Sequence, residues 1–369
     1  MKKQTRGKAD FPILVMTIVL VLFGCIMIYS ASYYTAIVKY GKPGYYFFLK
    51  QLVGAVLGCV AMLFFMNFNF QRLEAWSIPI LIACCVMLIA VFIPGIGKEQ
   101  YDSARWIDLG FVQIQPAEIT KFAIIIYLSS YFARNRDKLS KFWKGVFPAL
   151  LVIAIPCGLI LAQPNFSMLL IILMLVFIMM FLGGVSGRQL GTMGIIGVAG
   201  AAGIAILEPY RIKRIFVFLD PWKDTTGNSY QLIQSFYAIG SGGLFGKGLG
   251  RSQQKYLYLP YGESDFIFGI IAEELGLIGV IAMLLGFLVI IWRGIRIALL
   301  CPNRFGSLLA GGITAMLAVQ VLINIAVATG VCPPTGQTLP FISYGSSSLI
   351  IFMSSIGVLL NISRSTTKT

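Results

Sequence analysis

Apolar segments long enough to cross a lipid bilayer recur from one end of this sequence to the other. A hydrocarbon core about 30 Å thick takes roughly 20 helical residues to span. Segments of that kind lie at 11–33, 46–67, 76–94, 116–133, 146–162, 166–184, 190–207, 266–292, 306–329 and 346–362. Inside lipid each backbone amide must find its partner within the chain, so these segments are expected to be helices. With 58% of the 369 residues hydrophobic and 12% charged, too little polar surface exists to wrap the chain in water. The expectation is an all-α polytopic membrane protein of about ten transmembrane helices, a single domain over 1–369. A large extracellular loop, 208–264, is expected between helices 7 and 8.

A net charge of +15 would point to nucleic acid in a soluble protein. Here much of the basic charge sits in short connectors, where it sets orientation, and no nucleic-acid partner is implied. An even number of spans puts both termini on one side. If that side is the cytoplasm, the cytoplasmic segments hold Lys2 to Lys8, Arg72, Arg134 to Lys144, Arg188, Arg293 to Arg304, Arg364 and Lys368. This is the bias that the positive-inside rule describes. The run from Phe11 to about Ser32 is too long for the apolar part of a signal peptide and reads as an uncleaved first span.

Seven scattered cysteines show no metal-ligand spacing and read as buried thiols, so no metal site is expected from them. Histidine is absent, which leaves acid and base chemistry to carboxylates, Lys, Tyr or Cys.

The long loop breaks the charge bias, because Arg211, Lys213, Arg214, Lys223, Lys247, Arg251 and Lys255 all fall within it. Long loops translocate largely regardless of charge, so the topology stands. The cluster suits an anionic group on the outer side, or lipid headgroups. Arg211 to Leu219 mixes cations with apolar residues as interfacial helices do, and Asp220-Pro221 stops it. Tyr230 to Ile239 reads as a second short helix, and the glycine-rich Gly240 to Gly250 as a flexible turn. Gly248 after Lys247 breaks the phosphate-loop spacing, which argues against a nucleotide site. Together these features predict a structured cap lying on the membrane.

Three constellations carry candidate chemistry. Asp265 stands at the start of a long apolar helix, either as a first-turn carboxylate facing the helix dipole or as a general base whose pKa desolvation could raise. Glu273 and Glu274 follow inside that helix, for structural pairing or for a proton or substrate path. Arg105 lies in Ser103 to Gly110, and Glu118 and Lys121, at i,i+3 after Pro116, share one helix face. An ion pair explains Glu118 and Lys121, and so does a lysine placed to meet an anion near the outer headgroups. Last, Gly330 to Ser348 with its three prolines reads as a rigid non-helical hairpin, flanked by Gln320 and Asn324, which serve as interhelical glue or line a cavity.

Taken in order, these motifs resemble the SEDS family of bacterial shape, elongation, division and sporulation, which includes FtsW, RodA and SpoVE. The resemblance covers nearly the whole chain. It rests on Ala104-Arg-Trp-Ile-Asp-Leu-Gly110, Gln115-Pro-Ala-Glu-Ile-Thr-Lys121, Gln231-Leu-Ile-Gln-Ser and Ala238 to Gly248, with Glu263 to Leu277 and the Asn324 to Ser348 hairpin. Two departures stand out: Gln163-Pro-Asn165 where the family has an aspartate, and Ser346 where it has glycine. Thr338 looks more like the FtsW and SpoVE branch.

The resemblance implies a peptidoglycan glycosyltransferase that polymerises lipid II in cell division or sporulation and works with a class B penicillin-binding protein. It places the family's catalytic aspartate at Asp265. Lys121, Arg211, Arg214, Lys247 and Arg105 are then expected to meet the lipid pyrophosphate, and Glu118 and Ser343 to belong to the same substrate-binding set. A divalent cation, Mg2+ or Mn2+, is compatible with that chemistry, although no residue cluster points to it. The alternative is a lipid II flippase, for which Glu273 and Glu274 would line a translocation path.

Overall fold

The computed structural model describes residues 7–100, 103–108, 113–206, 218–225, 227 and 229–366. Each of the ten apolar segments contains a helix: α1 (Phe11–Val38), α2 (Tyr46–Asn67), α4 (Ser77–Ala90), α5 (Pro116–Arg134), α6 (Phe147–Ala162), α7 (Phe166–Gly183), α8 (Gly187–Ile206), α10 (Ile267–Leu300), α11 (Arg304–Ala328) and α12 (Ser346–Ser363). Two shorter helices complete the set, α3 (Gln71–Ala75) and α9 (Tyr230–Gly242). Among the described residues, seven helical runs are long and apolar enough to cross a membrane, the α6 run being extended back to Phe142 by a π-helical turn. The helix α4 is apolar but shorter. Glu118 and Lys121 interrupt α5, and Arg188, Gln189 and a run of glycines dilute α8.

Helix starts follow local chemistry. The side chains of Asp10, Asn165 and Asn303 accept from the backbone N–H of Ile13, Met168 and Gly306 at 3.3, 3.4 and 2.9 Å, capping α1, α7 and α11. Asn165 therefore performs the N-cap duty that an aspartate would at the same place, although its amide Nδ2, which an aspartate lacks, is buried without a partner. Hydroxyls on the buried helices, Thr120, Ser129, Thr314 and Ser354, bond back to carbonyls four residues earlier and are so satisfied within their own helices.

The helices α5, α11 and α12 form the centre, with α5 buried along almost its whole length from Pro116 to Ser130. Around them α2 packs on α12, and α1 and α9 pack on α10. The connectors fall at two ends of the bundle. At one end meet the turns 39–45, 91–115, 163–165, 243–266 and 329–345; at the other, 68–76, 135–146, 184–186 and 301–303, together with both chain ends. Gly7 N–H donates to the carbonyl of Arg364 at 2.9 Å, and Arg293 pairs with Asp10 at 3.1 Å, which ties the termini to that second end.

The connector between α4 and α5 carries a three-stranded antiparallel sheet, β1 (Gly97–Gln100), β2 (Ser103–Asp108) and β3 (Gln113–Ile114). Strand β2 pairs Trp106 with Lys98 and Ile107 with both Gly97 and Ile114. The glycine-rich segment after α9 is not a flexible turn. It docks into a break in α10, where Gly276 adopts φ 66° and ψ −168°. The N–H groups of Lys247 and Gly248 donate at 2.9 Å to the carbonyls of Glu273 and Glu274, while Leu277 and Ile278 donate back to Gly243 and Leu244 at 2.9 and 3.2 Å. The break thus exchanges intrahelical bonds for bonds to a second segment, as backbone near lipid requires.

In the loop, the Tyr230 to Ile239 expectation is met by α9. Lys223 and Asp220 form an exposed ion pair at 2.8 Å beside a 3-10 turn at Pro221–Asp224. Arg211, Lys213 and Arg214 lie outside the described residues.

The dihedral angles at Gly276 are essentially restricted to glycine, and a Cβ there would strike the Gly246 nitrogen and come within 2.6 Å of the Leu244 carbonyl oxygen. Gly276→Ala is expected to cost about 1–3 kcal/mol or more, read as a lower melting temperature in detergent. Gly240→Ala, where a Cβ meets nothing within 4 Å, should leave the melt unchanged or slightly raised.

Candidate catalytic site

Asp265 lies two residues before α10, at the end of the bundle that carries the sheet and the long hairpin. The N-cap position belongs to Phe266, so Asp265 stands just ahead of the first helical turn and not within it. The turn that presents it is wound tightly: Tyr261 has φ 56°, and its carbonyl accepts from Ser264 N–H at 3.0 Å and Phe266 N–H at 3.4 Å. Asp265 is half-buried and looks toward Gly336, where a Cβ would lie 3.5 Å from the carboxylate Oδ2. Gly336, at φ 68°, supplies both the turn and the room.

The hairpin between α11 and α12 is non-helical, as expected, and side chains hold it in place. Three consecutive carbonyls of the Asp265 turn are clamped by it. Tyr344 N–H donates to Glu263 at 2.9 Å, Ser343 Oγ to Ser264 at 2.6 Å, and Asn324 Nδ2 to Asp265 at 3.0 Å. The hairpin itself is fixed by Asn324 Nδ2 to the Gln337 carbonyl at 2.7 Å and by Leu339 N–H to Ser343 Oγ at 2.7 Å. Gln51 on α2 donates to the Ser343 carbonyl at 3.2 Å and accepts from Gly345 N–H at 3.3 Å.

Lys121 joins this network from below. Its Nζ lies 2.9 Å from Glu118 Oε2 and donates to Gln320 Oε1 at 2.8 Å, and Gln320 Nε2 donates to Gln337 Oε1 and the Thr338 carbonyl at 3.3 and 3.2 Å. Phe352 places its ring 5.2 Å from the same ammonium. Lys121 is 1% exposed, so the ion pair and the glue role of Gln320 both hold, and Lys121 touches the hairpin only by way of Gln320.

The remaining expected residues lie elsewhere. Arg105 donates to the carbonyls of Gln163 and Pro164 at 3.3 and 2.6 Å and ties the sheet to the α6–α7 turn. Lys247 pairs with Glu273 at 2.7 Å, and Lys255 with Glu274 at 3.2 Å. Glu273 also accepts from Ser252 Oγ and from the N–H groups of Gln253 and Gln254 at 3.0 and 3.2 Å. Ser30 of α1 donates to Glu274 at 2.7 Å. Both intramembrane carboxylates are thus structural partners, and Lys247 has its charge matched inside the protein. Arg211 and Arg214, the other two expected cations, fall outside the described residues. Among the described residues, no group of three or more His, Cys, Asp or Glu is placed to hold a metal.

Two groups missed in the sequence stand beside Asp265. Glu263 is buried, and burial pushes its carboxyl above the usual range against the opposing pull of its backbone hydrogen bond and of Lys39. Lys39, just past α1, lies 5.6 Å from the Tyr261 ring. Tyr344 has its hydroxyl pushed well above the ordinary value, first by burial and then by Tyr46, Glu263 and Tyr40. Glu263 was visible in the motif, but nothing local marked it as the more buried acid.

A helical bundle with several helices long and apolar enough to cross a bilayer defines a multi-pass integral membrane protein. A family model described as "Cell cycle protein", FtsW/RodA/SpoVE, matches residues 11–368, and the chain belongs to that family. Stage V sporulation protein E of Bacillus subtilis is 42% identical over 355 residues, covering 96% of this chain and 97% of that protein. A probable peptidoglycan glycosyltransferase FtsW of Geobacter metallireducens is 38% identical over 354 residues, 96% of this chain and 94% of its own. Among solved structures, the rod shape determining protein RodA of Thermus thermophilus superposes with TM-score 0.71 at 26% identity over 98% of each chain. A chain from a structure described as "Structural coordination of polymerization and crosslinking by a peptidoglycan synthase complex" superposes with TM-score 0.78 at 28% identity, over 96% of this chain and 98% of that one.

Breaking the buried pair by Lys121→Met would strand Glu118 without its counter-charge and Gln320 without its donor. The expected cost is about 3–5 kcal/mol, seen as a large drop in melting temperature. For Glu263 the raised pKa means that the folded state binds its proton more tightly than the unfolded chain does. Stability is therefore greatest below the ordinary carboxyl value and falls as pH rises through the window up to the folded value. Melting curves across that window should show the fall in wild type and a flatter profile in Glu263→Gln.

Proposed function

We propose that this chain is a peptidoglycan glycosyltransferase that polymerises lipid II into glycan strands, with Asp265 as general base. The observation that carries the reading is the clamp on residues 263 to 265, which fixes a half-buried carboxylate at one end of the bundle in a family with relatives named as peptidoglycan glycosyltransferases. In a single inverting displacement, Asp265 takes the proton of the acceptor's GlcNAc 4-hydroxyl as that oxygen bonds to C1 of the donor's MurNAc. The C1–phosphate bond breaks, and its electron pair leaves with undecaprenyl pyrophosphate. Holding the carboxylate on a rigid turn lets it act without reorganising in the transition state.

Pairing divides the work of the other residues. Glu118 and Lys121 hold the hairpin through Gln320, and Ser343 holds the turn, so these act as positioning residues. Arg105 and Lys247 brace the sheet and the glycine-rich segment. Arg211 and Arg214 are the cations we assign to the pyrophosphate, on the sequence alone. A class B penicillin-binding protein is the proposed partner, on the analogy of the synthase complex. Division or sporulation is the proposed setting, on the similarity to FtsW and SpoVE. The flippase reading needs Glu273 and Glu274 open to a path, and both are engaged by serines and lysines.

Purified Asp265→Asn given lipid II should lose at least about a hundredfold in strand synthesis while melting like wild type. Polymerisation at the wild-type rate would refute the base assignment.

A further inference from the structure

The end of the bundle opposite Asp265 contains a cavity of about 480 Å³ that the proposed reaction does not use. It opens between three connectors and is lined by Arg136, Asp137, Ser140, Ser186, Leu182 and Arg304 among others. Two guanidiniums face one carboxylate there, and among the described residues neither arginine forms an ion pair. Arg304 spends one donor on the Gly183 carbonyl, Nη2 to O at 2.9 Å, while its Nε is shut off from solvent with no acceptor. Guanidiniums that line a cavity are ready donors to an anion entering it.

Two further features define the ligand. The helices α8 and α11 both begin at this rim, so their positive dipole ends point the same way. Lys138, Lys141, Lys144 and Arg188 lie in or next to the connectors that supply its lining, whereas Arg134 is neutralised by Glu74 at 3.0 Å. The wall is apolar on the lipid side: Leu182 is 40% exposed and its neighbour Phe181 66%. A cationic notch set against an exposed apolar wall at a helix end fits a phosphate with an attached acyl chain better than a wholly water-soluble anion.

We propose that this cavity binds the phosphate of an anionic phospholipid, with Arg136 and Arg304 as donors, Ser140 and Ser186 as hydroxyl partners, and the acyl chain along Phe181 and Leu182. The full-length chain is reconstituted in bilayers of equal parts phosphatidylglycerol and phosphatidylethanolamine, extracted, and its retained lipids weighed by native mass spectrometry. Wild type is expected to keep phosphatidylglycerol selectively, and Arg136→Gln to retain roughly tenfold less. Asp137→Asn, which removes the opposing charge, should retain more. In a second arm, inorganic phosphate is titrated into lipid-free protein. A rise in melting temperature that Arg136→Gln abolishes, with no lipid selectivity in the first arm, would assign the site to free phosphate instead of lipid. Equal retention of both lipids with no effect of phosphate, or selective retention that neither substitution changes, overturns the proposal. Arg136 makes no side-chain hydrogen bond among the described residues, so its loss should not unfold the protein. Should Arg136→Gln nevertheless fail to fold, the gain from Asp137→Asn decides alone.

Discussion

Lipid offers no hydrogen bonds, and that single constraint organises the parts of this protein that are not plain helix. Two non-helical stretches sit against the bundle, residues 243–255 and 329–345, and each is held by hydrogen bonds from protein groups. The first feeds the carbonyls freed by the break at Gly276, with donors from Lys247 and Gly248. The second is held by Asn324, Ser343, Gln320 and Gln51, all of them buried. Removing those side chains would leave main-chain polar groups facing hydrocarbon, at several kcal/mol for each unsatisfied group.

The same constraint governs the charges. Glu118, Glu273 and Glu274 are each matched by a lysine, from the same helix in one case and from the docked glycine-rich segment in the others. The segment therefore does two jobs. Its backbone fills the helix break while Lys247 and Lys255 neutralise the two acids just before it, so that break and acids stabilise one another. An isolated acid at that depth would neutralise itself or draw in water, and a serine from α1 supplies the last partner for Glu274.

Local pattern made much of this legible and left the rest hidden for a definite reason. Helix positions followed from apolar runs, and the Glu118–Lys121 pair from i,i+3 spacing. The rigidity of the hairpin followed from its prolines, and the start of α10 just after Asp265 from the long, mainly apolar run that follows. Hidden were the contacts that depend on residues far apart in the chain. Lys247 meets Glu273 across 26 positions, Ser30 meets Glu274 across 244, and Arg105 meets Pro164 across 59. Glycines from 240 to 250 signal freedom in isolation, and only the presence of the Gly276 break turns them into a docked segment. The small sheet was equally invisible, since strands of two to six residues form by pairing and not by their own propensity.

What distinguishes Asp265 from the other acids is the way it is held. Glu118, Glu273 and Glu274 are fixed through their carboxylates, which makes their charge part of the architecture. The turn carrying Asp265 is fixed through the main-chain carbonyls of residues 263, 264 and 265, each held by a group from α11 or the hairpin. Changing the carboxylate leaves those three bonds intact, whereas changing Asn324 or Ser343 moves the turn and leaves the carboxylate chemically unaltered. The position of the turn is thus set by Asn324, Ser343 and Tyr344 through its backbone, which is how a preorganised polar group is held without using its own side chain as the anchor.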